Sequence, residues 1–161
     1  MERQEVFIKS IQENERLIYK VVNFYTDCKD NRDDLVQEII YNLWKSFDKF
    51  KHNSNLSTWM YRIAMNVSIY QLKKTKRKVQ TVPIDQEILN SPETVLNDSE
   101  EKLQTLKKHI GDLNLIEKGI LMLYLERKSY EEIAEIVGIS KTNVGTKLTR
   151  IKDKLRLVNS K

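Results

Sequence analysis

The sequence predicts an all-α protein: two small helical domains joined by an acidic, proline-containing linker, the second domain ending in a helix-turn-helix. Three observations carry this. Apolar residues recur at helical spacing through most of the chain. Between Val79 and Glu101 there are six acids, no Lys or Arg, and both prolines, a composition that cannot bury a core. Ser129 to Lys152 sets caps, a glycine turn and a basic helix in the order such a motif requires. The expected organisation is residues 1–78, a linker over 79–98, and residues 99–161.

The first helix is expected from about Glu2 to Thr26, with Phe7, Ile11, Ile18, Val22 and Tyr25 inward, ended by a polar turn at Asp27 to Asn31. A second helix carries Leu35, Ile39, Leu43, Phe47 and Phe50 inward behind an acidic start. Asp33, Asp34 and Glu38 could look like paired catalytic carboxylates, but acids in a first helical turn stabilise the helix dipole and need no chemistry to explain them. This half holds eleven of the thirteen aromatics, large side chains that a small domain needs to close its core.

A third helix is expected from about Ser57 to Lys76, with Met60, Ile63, Ala64 and Val67 inward and Trp59, Arg62, Asn66, Tyr70 and Lys73 on other faces. From Lys45 to Lys78 there are nine Lys/Arg against the single acid Asp48. Rings interleaved with cations and an amide suit unpaired nucleic acid, because bases stack on rings and phosphates attract cations. The plainer reading makes Trp59 and Tyr61 core. Past the linker, helices are expected at about 99–110 and 115–126, the second started by Asn114 with Glu117, and their core is drawn from Leu103, Leu106, Ile110, Ile116, Ile120, Leu123 and Tyr124.

In the helix-turn-helix, Ser129 and Glu132 make a capping box, Ala134 is small where helices cross, Gly138 takes the left-handed turn, and Ser140 caps the second helix. Val144, Leu148, Ile151 and Leu155 then face inward, which leaves Lys141, Asn143, Lys147, Arg150 and Lys154 for phosphates and base edges. Asn143 and Lys147 are assigned to base edges, Arg150 and Lys154 to phosphate. Gly145 runs against the pattern, costing about 1 kcal/mol inside a helix.

Composition removes other classes of function. The chain is 40% hydrophobic and 32% charged, ordinary for a folded protein, with a net charge of +5. Its apolar stretches are too short for a transmembrane helix and Met1-Glu2-Arg3-Gln4-Glu5 is no signal peptide, so no membrane insertion and a cytoplasmic location are expected. A lone Cys28 makes no internal disulfide, and with His52 and His109 it has no metal-ligand spacing. None of the four glycines forms a phosphate-cradling loop, so neither an enzyme nor a cofactor is expected.

Three stretches together resemble the extracytoplasmic-function (group four) sigma factors of bacterial RNA polymerase. Asp34-Leu35-Val36-Gln37-Glu38-Ile39 with Leu43-Trp44 resembles the family's polymerase-binding helix; Leu56-Ser57-Thr58-Trp59-Met60-Tyr61-Arg62-Ile63-Ala64-Met65-Asn66 resembles its promoter-melting segment; and Tyr130-Glu131-Glu132-Ile133-Ala134 through Leu155 resembles its helix-turn-helix. The resemblance implies that Asp34, Leu35, Gln37, Glu38 and Trp44 dock on core polymerase. It implies that Ser57, Thr58, Trp59, Arg62, Asn66, Tyr70, Lys73 and Lys74 engage the minus-ten element, and that Ser140, Lys141, Asn143, Lys147, Arg150 and Lys154 meet the minus-thirty-five element. The partners implied are core RNA polymerase and promoter DNA, and, since no sensing domain is evident, an anti-sigma factor as a separate controller.

Two departures stand out. Where the family commonly has Gly-Thr-Val-Lys-Ser-Arg, this chain has Thr142-Asn143-Val144-Gly145-Thr146-Lys147, and Tyr70 replaces a common acid. Residues 79 to 101 span about 26 Å as a relaxed coil and about 76 Å extended, against about 68 Å for two turns of duplex, so touching both elements needs a stretched linker. The competing expectation from another class is a stand-alone helix-turn-helix repressor or activator, for which the basic, aromatic third helix has no use.

Overall fold

The computed structural model describes residues 2–50, 55–79 and 98–159. Within them lie eight α-helices and no strand: α1 (Arg3–Glu13), α2 (Glu15–Tyr25), α3 (Lys29–Ser46) followed by a 3₁₀ turn at Phe47–Lys49, α4 (Leu56–Val79), α5 (Asp98–Gly111), α6 (Leu115–Leu125), α7 (Tyr130–Val137) and α8 (Lys141–Asn159). The linker expected over 79–98, with its prolines and with Asp85, Glu87 and Glu93, lies outside the described residues except at its two ends.

The single first helix expected over 2–26 is instead two. Asn14 breaks it: its side-chain amide donates to the Ser10 carbonyl at 2.9 Å and its backbone N–H to Ile11 at 3.2 Å, a short-range side-chain bond that competes with the helical ladder. The break lets α1 turn onto the end of α3, where Phe7 meets Trp44 and Phe47 edge-on at centroid distances of 5.0 and 5.3 Å. The turn expected at Asp27 to Asn31 is also shorter, since α3 already begins at Lys29. Asp33 and Asp34 therefore sit beyond its first turn, where the helix dipole explains them less well.

The first core lies among α2, α3 and α4, built on Ile18, Val21, Val22, Ile39, Leu43, Met60 and Ala64, each at most 1% exposed. The second lies among α6, α7 and α8 and is built on Ile120, Leu123, Ile133, Val144, Leu148 and Ile151. Each buried aliphatic contributes about 1.5–3 kcal/mol, so the three on α8 outweigh the local cost at Gly145. Helix α5 rests on α8 without burying any residue fully.

Three core assignments fail in this half: Leu103, Ile116 and Tyr124 are exposed to 52, 42 and 37%. Leu103 lies on α5, which buries no residue fully; for Ile116 and Tyr124 the reason lies in α6, which buries five consecutive residues, Gly119 to Leu123, because it is covered by α7 and α8 on one side and by α2 and α4 on the other. A helix apolar all round gives no periodicity by which to choose its outward positions.

Candidate nucleic-acid interface

The helix-turn-helix is built from local bonds. The Ser129 Oγ accepts from the Glu132 N–H at 3.1 Å while the Glu132 carboxylate reaches back to Ser129, closing the capping box. Gly138 holds φ +84°, a left-handed conformation natural to glycine, and α8 starts where the Asn143 N–H donates to Ser140 Oγ at 3.1 Å. Ser140 is thus engaged in capping. A Cβ on Gly145 would lie 3.7 Å from the Tyr130 ring, ordinary contact, so packing within the fold does not require the glycine.

With Val144, Leu148 and Ile151 buried, Asn143 and Arg150 stand outward and Lys147 is half-buried. Two neighbouring cations already hold acids: Lys141 pairs with Glu131 at 3.1 Å and Lys154 with Glu117 at 3.0 Å. Glu117 is the functional neighbour that sequence reasoning missed as a partner of α8. It was legible only as half of a capping box with Asn114, which it does form. Burial pushes its carboxyl up, but the Lys154 bond, the Asn114 N–H and the charges of Lys154 and Lys147 more than offset this and hold it below the usual carboxylate range.

On α4, Arg62, Asn66, Tyr70 and Lys73 are exposed and fall at helical spacing on one stripe, with Lys74 beside it. At its head, Trp59 is half-buried, its ring 4.9 Å from Phe50 and 6.2 Å from Phe47. Ser57 is half-buried and Thr58, at 6% exposed, belongs to the core side. Tyr61 is core as well. A cleft of about 540 Å³ opens beside this aromatic group, lined by Val6, Ser10, Phe47, Asp48, Phe50, Asn55 and Leu56.

On α3, Asp34 and Gln37 are exposed and Glu38 half-buried, whereas Leu35 is only 5% exposed and forms the core beneath them. Trp44 is half-buried under Arg3, whose guanidinium lies 4.0 Å from its ring centroid, donates to the Trp44 carbonyl at 3.0 Å and pairs with Asp48 at 2.7 Å. No sequence pattern pointed to Arg3, because its partners lie some forty residues away.

The two helical groups also touch. The Tyr25 hydroxyl donates to the Leu115 carbonyl at 2.9 Å, Lys20 pairs with Glu126 at 2.8 Å, and Arg62 donates to the Glu135 carbonyl at 2.8 Å. Burial pushes the Tyr25 phenol far up; Tyr61 is raised by burial and by the nearby Glu126.

Comparison with known proteins agrees with this layout. The family model described as Sigma-70 region 2 matches residues 10–78, and that described as Sigma-70, region 4 matches residues 113–155. The chain is 24% identical over 160 residues to the ECF RNA polymerase sigma factor SigG of Mycobacterium tuberculosis, a match that covers 83% of this chain but 43% of SigG, so it spans less than half that relative's length. It is 28% identical over 158 residues to the RNA polymerase sigma factor YlaC of Bacillus subtilis, covering 91% and 90% of the two chains. In fold it is similar to the sigma factor RpoE of Bartonella quintana, solved in complex with the anti-sigma factor NepR, with a TM-score of 0.67, 24% identity and coverage of 92% and 95%. Between them the two region matches take in most of the chain, in the order of a sigma factor, and the chain belongs to the extracytoplasmic-function sigma factors of the sigma-70 family.

Proposed function

We propose that this chain binds core RNA polymerase in the cytoplasm and directs promoter recognition, DNA melting and transcription initiation. The observation that carries the reading is the pairing of a capped helix-turn-helix with a second, separate stripe of ring, amide and cations on α4. A repressor needs only the first. A chain that must both read duplex and hold unstacked bases needs both.

Residues 1–78 serve polymerase binding and melting, 79–98 link, and 99–161 read the minus-thirty-five element. Asp34, Gln37, Glu38 and Trp44 form the polymerase surface over the buried Leu35. Trp59, Arg62, Asn66, Tyr70, Lys73 and Lys74 engage the minus-ten element, with Ser57 and the buried Thr58 supporting the helix start, and the cleft between Phe47 and Phe50 offers room for an unstacked base. On α8, Asn143 and Lys147 face base edges, and Lys141, Arg150 and Lys154 face phosphate. Control falls to an anti-sigma factor, as its structural relative is bound by one. The test is run-off transcription from a genomic promoter library with purified core polymerase and this chain. Specific transcripts that require both support the reading; an operator shift by the chain alone, with no transcript, would favour a stand-alone regulator.

A further inference from the structure

We propose that Arg127, in the turn between α6 and α7, is a phosphate-binding residue for the upstream promoter element, lying outside α8 and gripping the DNA strand beside the groove that α8 enters. The inference rests on the function proposed above and adds a contact to it.

Arg127 sits where a glycine belongs. Its φ is +63°, and it is the one non-glycine residue at positive φ among the described residues. The turn is closed by the Lys128 N–H on the Leu123 carbonyl at 3.1 Å and by the Arg127 N–H on the Tyr124 carbonyl at 3.0 Å, the paired bonds of a helix end whose left-handed residue is usually glycine. The same closing bond ends α7, where the Ile139 N–H meets the Ala134 carbonyl at 3.2 Å, and there the left-handed residue is Gly138. A Cβ in this conformation crowds the backbone, so glycine would serve the turn between α6 and α7 better.

Nothing within the fold offsets that cost. Arg127 is exposed, and its guanidinium makes no bond or ion pair among the described residues. The charges around it are engaged. Glu126 pairs with Lys20 at 2.8 Å, Glu131 with Lys141 at 3.1 Å, and the Lys128 ammonium lies 5.2 Å from the Tyr61 ring centroid and 3.8 Å from Glu132. Arg127 is the charge left over, on a backbone that disfavours it, and a strained residue without an internal partner points to one outside the chain.

Its place in the fold says which partner. The first turn of α7 is seated on the first half of α8, since Lys141 reaches Glu131 and the Tyr130 ring lies beside Gly145. Arg127 enters at that end, ahead of the Ser129 cap. In a helix-turn-helix the second helix lies in the groove while the first crosses the backbone, so the approach to the first helix faces phosphate. A guanidinium suits that ligand, because its planar fork can meet two phosphate oxygens at once.

The test uses the full chain assembled with core polymerase on a promoter from the run-off library, with binding measured across a salt series. Arg127→Gly removes the guanidinium and suits the left-handed turn. It should raise the urea midpoint of the free chain while weakening promoter binding roughly three- to tenfold for every upstream sequence and lowering the salt slope by about one. Arg127→Ala, which keeps the strained backbone, should weaken binding equally without the gain in midpoint, and Arg127→Lys should retain the slope. Stability and binding that move in opposite directions are what a structural arginine does not give. The assignment is refuted if Arg127→Gly binds with wild-type affinity and slope, if it destabilises the chain, or if the loss appears in association with core polymerase without DNA, which would put the guanidinium on an acidic protein surface. Wild-type holoenzyme that binds no promoter would overturn the proposed function and this assignment together, whereas an unaltered variant beside a functioning wild type overturns the assignment alone.

Discussion

Glu117 joins two tasks that substitution can separate. Its carboxylate caps α6 through Asn114 and also holds Lys154 of α8 through bonds of 3.0 and 3.4 Å; its side chain is 10% exposed and that of Lys154 56%. A hydrogen bond to a charged group contributes about 1.5–3 kcal/mol when well buried, and the half-exposed lysine reduces this toward about 1 kcal/mol. Glutamine keeps a capping oxygen but not the charge. Glu117→Gln should therefore cost about 1 kcal/mol in urea unfolding, and Glu117→Ala about 2 kcal/mol, since alanine also loses the cap. The pH dependence has a definite sign. Because the folded-state pKa is lowered, the ionised carboxylate stabilises fully above the ordinary glutamate range, and this is lost as pH falls through the depressed value. The difference between wild type and Glu117→Gln should be level at neutral pH and shrink in acid. Glu117→Gln also releases Lys154, so if that lysine faces phosphate the variant should bind the upstream element severalfold more tightly while being less stable. A glutamine variant as stable as wild type at neutral pH would show the pair to be energetically empty, and weaker DNA binding by a folded variant would remove Lys154 from the phosphate contacts.

Gly145→Ala should stabilise the chain by about 1 kcal/mol in urea unfolding, because the added methyl meets Tyr130 at ordinary contact distance and helix propensity improves; a loss of stability would mean that α8 needs the glycine for its own packing. Asp34→Arg and Glu38→Arg should weaken association with core polymerase by roughly tenfold or more while leaving unfolding within about 1 kcal/mol of wild type. Equal losses of folding and binding would make those acids structural. Trp59→Ala should abolish permanganate reactivity on a duplex promoter but not on a template with a pre-melted bubble, since stacking offsets about 1 to 3 kcal/mol per base; normal opening of duplex by the variant would assign the ring to the aromatic core with Phe47 and Phe50.

The helix-turn-helix was legible because every feature that makes it is local. Ser129 with Glu132, Gly138 and Ser140 each act within a few residues, and the inward set on α8 follows one helical period. What escaped was long-range or nearly silent. Asn14 is a single residue in an otherwise helical run, and only its bond to Ser10 shows that it wins against the ladder. Gly119 sits in an apolar helix whose outward side no period can mark, and its reason for being glycine is Tyr25 and Met65, far away in sequence. Leu35 entered the docking set through the family resemblance, whereas its helical spacing had already placed it inward, and the core is where it lies. Periodicity reports which side chains share a face; it does not report what covers that face.

The free chain already supplies partners to several groups proposed to meet DNA. Lys141 holds Glu131, Lys154 holds Glu117 and Arg62 holds a carbonyl of α7. Binding to phosphate is then an exchange. Each lysine that leaves a carboxylate for a phosphate frees an acid that gathers a cation as the phosphate releases one, so the net counterion release is smaller than the number of lysines on the DNA face. Arg62 loses only a neutral carbonyl and so releases its counterion in full, as does Arg150, which makes no ion pair among the described residues, whereas Lys147 makes no ion pair but gives up part of its attraction to Glu117. Among the cations of α4 and α8, salt dependence of binding should therefore be set mainly by Arg62 and Arg150 and in part by Lys147, while Lys141 and Lys154 fix the register of α8 with little influence on the slope. Replacing Glu131 or Glu117 by glutamine should steepen that slope by roughly one each, and a slope indifferent to both replacements would mean that neither lysine leaves its acid when the promoter is bound.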